Sequence, residues 1–154
     1  MYHGWDDPNI PAENTINYYK SVVAAMHNGH KKDFNIVAPG PRRNTDDFFR
    51  LFMVPGMGHC RGGPGTDQFD ALFVLEHWVE QGIAPEKIIA SHVEDGTVTI
   101  TRPLCPYPLE ATYVGHGSTN DAANFECELK GLNRADEASD FEHGLQGRDN
   151  ARRK

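Results

Sequence analysis

The residues best suited to chemistry are His59 and the acids Asp6 and Asp7. His59 lies in a glycine-rich loop, Pro55-Gly56-Met57-Gly58-His59-Cys60-Arg61-Gly62-Gly63-Pro64-Gly65, that follows an apolar run, Phe48-Phe49-Arg50-Leu51-Phe52-Met53-Val54. The glycines allow a sharp turn and leave an imidazole accessible. The acids follow Tyr2-His3-Gly4-Trp5, which reads as the end of another strand running into a turn. An imidazole can take the proton of a hydroxyl that is otherwise a weak nucleophile, and a carboxylate behind the ring sets its tautomer and stabilises its protonated form. From Asp7 to His59 is 52 positions, room for a loop, a helix and a strand. Acyl transfer by a nucleophile, a base and an acid is the chemistry this spacing suggests.

The nucleophile itself is not evident. The four serines are Ser21, Ser91, Ser118 and Ser139, and none stands in the G-x-S-x-G elbow that exposes a nucleophile between strand and helix. In α/β-hydrolases the chain order is serine, acid, histidine. Ser118 comes after both partners and reads as a turn residue. Other readings of these side chains stay open. His59 as an ordinary surface-loop histidine is one. A metal site from His3, Asp7, His59 and Cys60 is another, although neither C-x2-C nor H-E-x-x-H is present. A His59/Cys60 pair is disfavoured, because adjacent side chains on an extended loop point apart.

These residues need elements to carry them. Seven residues with a single charge suit a strand buried on both faces of a parallel sheet. A residue just past the C-terminal end of such a strand lies where open α/β sheets bind ligands. Between the two candidate strands, Ile16, Tyr19, Val22, Val23 and Met26 recur at helical spacing and form one apolar stripe. Pro11 suits the first turn, Asn14 and Thr15 are candidate caps, and Gly29 is the expected end. Residues 33–47 read as a loop. A second helix is expected after the His59 loop, capped by Asp67, buried through Phe69, Leu72, Phe73, Leu75, Trp78 and Val79, and stopped by Gly82.

Residues 87–92 and 97–102 flank Asp95-Gly96, a hairpin signal. Cys105 and Cys127 then enclose a segment rich in proline, glycine and asparagine with little core of its own. A bridge closing a loop of about 20 residues would contribute on the order of 3 kcal/mol. That pairing leaves Cys60 over, with a partner elsewhere; three reduced thiols are the alternative. Alternating helix and buried strand, then a hairpin and a cystine loop, make the fold class α/β with an irregular disulfide-bearing extension.

Length and composition allow one domain at most, and the net charge of −7 argues against a nucleic-acid partner. No run approaches the roughly 20 apolar residues of a membrane helix. Residues 1–30 lack the basic head and apolar run of a signal peptide. Residues 133–154 are polar and mixed in charge and are expected to be a disordered tail. The chain opens on what reads as a strand end, so Met1 reads as a truncation. Residues 1–132 are then the C-terminal portion of a catalytic domain whose sheet is incomplete.

The blocks YHGWDDPNI, NTINYYKSVV, RLFMVPGMGHCRGGPG, FDALFVLEHWVEQGIAPEKIIASH, TRPLCPYP and DAANFEC resemble the C-terminal part of the tannase and feruloyl esterase family, secreted serine esterases with an α/β-hydrolase fold. The resemblance runs from about residue 2 to residue 127. It implies that Asp7 is the triad acid, with Asp6 as the less favoured alternative, and that His59 is the base. It implies further that Cys60 pairs with a cysteine beside the nucleophilic serine, and that a lid domain with a calcium site precedes this region. The nucleophile block, its cysteine, the oxyanion hole and the lid are not in this sequence. The expectation is therefore a carboxylic ester hydrolase acting on aromatic esters through an acyl-enzyme, with this chain supplying acid and base. It would hold no cofactor of its own. Its partners would be a small aromatic ester and the N-terminal part of the same enzyme, with no nucleic acid and no membrane, and the full-length enzyme would be secreted. An inert truncated product or pseudoenzyme remnant is the alternative.

Overall fold

In the computed structural model, which describes residues 1–28 and 45–130, β1 (Tyr2–Gly4) and β2 (Phe52–Val54) lie side by side and parallel, with Tyr2 opposite Phe52 and Gly4 opposite Val54. A parallel pair needs a crossover, and α1 (Ala12–Asn28) lies within it. Side chains alternate across a strand. Phe52 and Val54 therefore enter one core with Met57, Ile88, Ala90 and Leu104, while Leu51 and Met53 enter a second with Ala12, Ile16 and Tyr19 of α1. Burial on both faces is why this segment is apolar at every position.

The regular strand is shorter than the apolar run. Thr45–Asp47 forms a single 3-10 turn, and the Thr45 carbonyl accepts the N–H groups of Phe48 and Phe49 at 3.1 and 2.9 Å. The chain bends there, so the strand expected through Phe48 is confined to Phe52–Val54, and Phe48 is exposed. Arg50, the one charge in the run, leaves the core. Its guanidinium donates to the Pro85 carbonyl at 2.6 Å and lies 5.6 Å from the Trp78 ring centre.

α1 begins at Ala12, directly after Pro11, so the expected caps Asn14 and Thr15 lie inside the helix. Its expected end at Gly29 and most of the loop over 33–47 lie outside the described residues. α2 (Ala71–Gln81) is capped by Asp70, whose carboxylate accepts the Phe73 N–H at 2.8 Å. Gly82 ends it with φ 70° and an N–H bond to the Trp78 carbonyl. Asp67, the expected cap, instead accepts the Gly62 N–H at 2.7 Å and so belongs to the His59 loop. The expected buried face of α2 is also corrected. No α2 residue is buried, and Leu72, Phe73, Leu75 and Val79 are 52–76% exposed. Nothing among the described residues covers that face; only Phe69 and Val74 reach the first core.

β3 (Ile88–Glu94) and β4 (Thr97–Leu104) form an antiparallel hairpin. Its turn residues Asp95 and Gly96 both have positive φ, 49° and 76°, as a two-residue turn of this hand requires. The segment expected to be irregular carries a hairpin of its own, β5 (Glu110–Tyr113) with β6 (Phe125–Glu128). Cross-strand pairing of Tyr113 with Phe125, ring centres 5.5 Å apart, supplies the packing that composition did not advertise. The Cys105–Cys127 disulfide, with Cα atoms 5.6 Å apart, fastens this hairpin to the end of β4. Arg102 over the Phe125 ring at 3.9 Å adds a second tie. The segment 133–154 lies outside the described residues.

Candidate active site

Because β1 and β2 are parallel neighbours, their following loops leave from the same end of the pair. Asp7 stands three residues past Gly4 and His59 five past Val54. The two loops are stitched together by backbone: the Trp5 N–H donates to the Val54 carbonyl at 3.0 Å and the Asp6 N–H to that of Met57 at 3.1 Å. Gly4 permits this approach, since a Cβ there would run into the carbonyl oxygens of Met57 and Gly58. The His59 loop then closes on itself through Gly58 N–H to Gly62 carbonyl at 2.8 Å and Gly65 N–H to Gly56 carbonyl at 3.0 Å. At Gly63, with φ 98°, a side chain would meet the Gly56 carbonyl.

Across the gap, His59 Nδ1 lies 2.8 Å from Asp7 Oδ2. The Asp7 side chain is 5% exposed and that of His59 44%. Asp7 Oδ1 accepts the N–H groups of Asn9 and Ile10 at 2.8 and 3.0 Å, a local turn that orients the carboxylate. Burial on its own would raise the Asp7 carboxyl. The hydrogen bond from His59, followed by those from Asn9 and Ile10, outweighs it and lowers the carboxyl from 3.8 to about 2. An ionised carboxylate only accepts, so the proton between them belongs to His59 Nδ1. Nε2 is then the ring's lone-pair nitrogen, and it has no hydrogen-bond partner among the described residues.

Asp6 faces elsewhere: it is exposed and engages the site only through its backbone. Ser118 accepts the Asn120 N–H at 3.1 Å, as a turn residue does. Cys60 is exposed and free, with φ 66°, while Cys105 and Cys127 are bridged to each other. His3, which sequence reasoning weighed only as a metal ligand, sits behind Asp7. Its Nε2 is 3.3 Å from Asp7 Oδ2. A histidine four residues before an acid across a turn is too common a pattern to have announced this. Among the described residues, no group of three or more His, Cys, Asp or Glu side chains is arranged to hold a metal ion. A cavity of about 660 Å³ opens next to the stitched loops, between Trp5, Pro55 and Gly65 on one side and Arg102 and Phe125 on the other; neither Asp7 nor His59 lines it.

Residues 1–128 match the family described as tannase and feruloyl esterase. The chain belongs to that family. It is 44% identical over 146 residues to an uncharacterised esterase of Xanthomonas campestris pv. campestris, covering 82% of this chain and 25% of the relative. It is 45% identical over 130 residues to the mono(2-hydroxyethyl) terephthalate hydrolase of Piscinibacter sakaiensis, covering 82% of this chain and 19% of that protein. Among solved structures, feruloyl esterase B from Aspergillus oryzae superposes with a TM-score of 0.66 at 31% identity, over 82% of this chain and 26% of that one. Tannin acyl hydrolase from Aspergillus niger gives 0.63 at 28% identity, over 84% and 22%. The fold is thus α/β-hydrolase-like, and the chain spans between about a fifth and a quarter of the length of these relatives.

Proposed function

We propose that this chain supplies the acid and the base of a serine carboxylesterase that cleaves esters of aromatic carboxylic acids. The observation that carries the reading is the 2.8 Å contact between His59 Nδ1 and a nearly inaccessible Asp7 carboxylate, which leaves Nε2 as a free base. In the forward step Nε2 takes the proton of a hydroxyl as that oxygen adds to the ester carbonyl. It then returns the proton to the departing alcohol, leaving an acyl-enzyme. The same nitrogen activates water for the second half-reaction. Asp7, ionised throughout, stabilises the ring while it carries two protons.

The hydroxyl and the oxyanion donors are assigned to a preceding part of the same polypeptide. Two facts support that: no serine of this chain stands in a nucleophile elbow, and the match spans only 25% and 19% of two relatives' length. The aromatic acyl class rests on the names of relatives, a terephthalate monoester hydrolase and feruloyl esterases. The calcium site implied for a lid belongs to residues outside this sequence, and no step here runs through it. The Cys105–Cys127 disulfide supports an oxidising, extracellular setting. Cys60, free here, is assigned to a bridge with the nucleophile-bearing part.

The test is hydrolysis of methyl ferulate and methyl gallate by the purified chain, alone and mixed with a separately made nucleophile-bearing part. Alone, the chain is expected to match buffer. Mixed, it should turn over, and His59→Ala should abolish that turnover. Turnover by the chain alone that disappears in His59→Ala would mean the nucleophile lies inside these 154 residues. Mixed turnover indifferent to His59→Ala would sink the reading.

A further inference from the structure

His3 makes three polar contacts that the acid–base pair does not require. Its Nε2 is 3.1 Å from the Ile10 carbonyl and 3.3 Å from Asp7 Oδ2, and its Nδ1 is 2.7 Å from Thr15 Oγ1. The side chain is 10% exposed. A carbonyl only accepts, so Nε2 carries a proton; Nδ1 of the neutral ring then accepts from the Thr15 hydroxyl. The Nε2 proton points its positive end between the Ile10 carbonyl and the Asp7 carboxylate. Ile10 is held from both sides, since its own N–H donates to Asp7 Oδ1 at 3.0 Å. The chain from His3 to Ile10 is therefore closed into a loop by two side chains, that of His3 at the Ile10 carbonyl and that of Asp7 at the Ile10 N–H, and Thr15 anchors the His3 ring to α1.

We infer that His3 is a positioning residue: it clamps the acid loop between β1 and α1 so that Asp7 Oδ2 stays aimed at His59. The inference rests on reading Asp7 and His59 as acid and base. Loss of the clamp frees residues 8–10 to swing, loosens the two backbone donors on Oδ1, and lets the carboxylate rotate off the His59 ring. The ring is then no longer held in the tautomer that leaves Nε2 as the base.

The experiment needs no turnover. The full chain is labelled with 15N, and long-range 1H–15N spectra read which nitrogen of His3 and His59 carries the proton. Wild type is expected to show the proton on Nε2 of His3 and on Nδ1 of His59. In His3→Phe the ratio of Nδ1–H to Nε2–H at His59 should fall at least threefold. In His3→Gln, whose amide nitrogen reaches the Nε2 position and keeps a donor, it should return to within a factor of two of wild type. A folded His3→Phe with an unchanged ratio overturns the proposal, and so does His3→Gln behaving like His3→Phe. If His3→Phe does not fold, Thr15→Val decides, because it removes the anchor and leaves the ring: an unchanged His59 ratio there overturns the clamp. Asp7→Asn separates the two readings. If it leaves the His59 ratio untouched, the acid–base pair fails and the clamp with it; if it shifts the ratio while His3→Phe does not, the clamp alone fails.

Discussion

At the scale of single residues, the centre of the molecule is a carboxylate whose two oxygens both accept hydrogen bonds. Asp7 takes one ring N–H and two backbone N–H groups, which is why it stays charged although it is hardly accessible. Its stability linkage has a definite sign. The folded value of about 2 lies below the ordinary 3.8, so the folded state binds this proton less readily than the unfolded chain. The contribution is complete above about 3.8 and is lost as the pH falls from there through about 2. A 13C titration of the Asp7 carboxyl should show a midpoint near 2; a midpoint at 3.8 or above would show that the hydrogen bonds from His59, Asn9 and Ile10 are not formed in solution. The positions of Asp7 and His59 were legible in sequence because each stands just past a segment that reads as a strand end, a rule that depends on neighbours in the chain. The place of His3 was not, because its partners stand 7 and 12 residues away and converge only when α1 folds back on β1.

At the scale of elements, sequence reading succeeded where one local rule decides and failed where a boundary depends on the rest of the fold. The Asp95-Gly96 hairpin was legible because a two-residue turn of positive φ has few chemistries. The end of α2 at Gly82 was legible for the same reason. The start of α2 was misread by three residues: Asp67 and Asp70 are equally good caps on paper, and only the closed His59 loop decides that Asp67 faces Gly62. Asp70→Ala should therefore destabilise the chain by about 1 kcal/mol, as loss of a helix cap does. Asp67→Ala should spare α2 and disturb the His59 loop. Urea unfolding followed by circular dichroism checks the first, and the amide shift of Gly62 checks the second. An Asp70→Ala chain as stable as wild type would show that the helix does not depend on its cap.

At the scale of the whole molecule, the apolar content of α2 and its exposure are in conflict until the rest of the family fold is considered. Leu72, Leu75 and Val79 share a side of the helix and face solvent. Contiguous apolar surface of this kind marks an interface. The chain on its own should self-associate through it. Leu72→Ser with Val79→Ser should weaken that association by roughly tenfold or more, equivalent to about 1.4 kcal/mol. Size-exclusion chromatography with light scattering reads the outcome, and a wild-type chain that stays monomeric at spectroscopic concentrations would contradict it. Helical periodicity specified that α2 has an apolar face, but nothing among the described residues covers it.

The two cores that share β2 have a consequence for where His59 can sit. Leu51 and Met53 answer to one core, Phe52 and Val54 to the other. A slip of the strand by one residue would exchange the two sets and move everything after Val54 along the sheet by about 3.3 Å. That step exceeds the 2.8 Å separating His59 from Asp7. The strand is thus an index: it admits settings one residue apart and no setting between them, and the alternation of the four side chains from Leu51 to Val54 selects the one setting at which His59 and Asp7 meet.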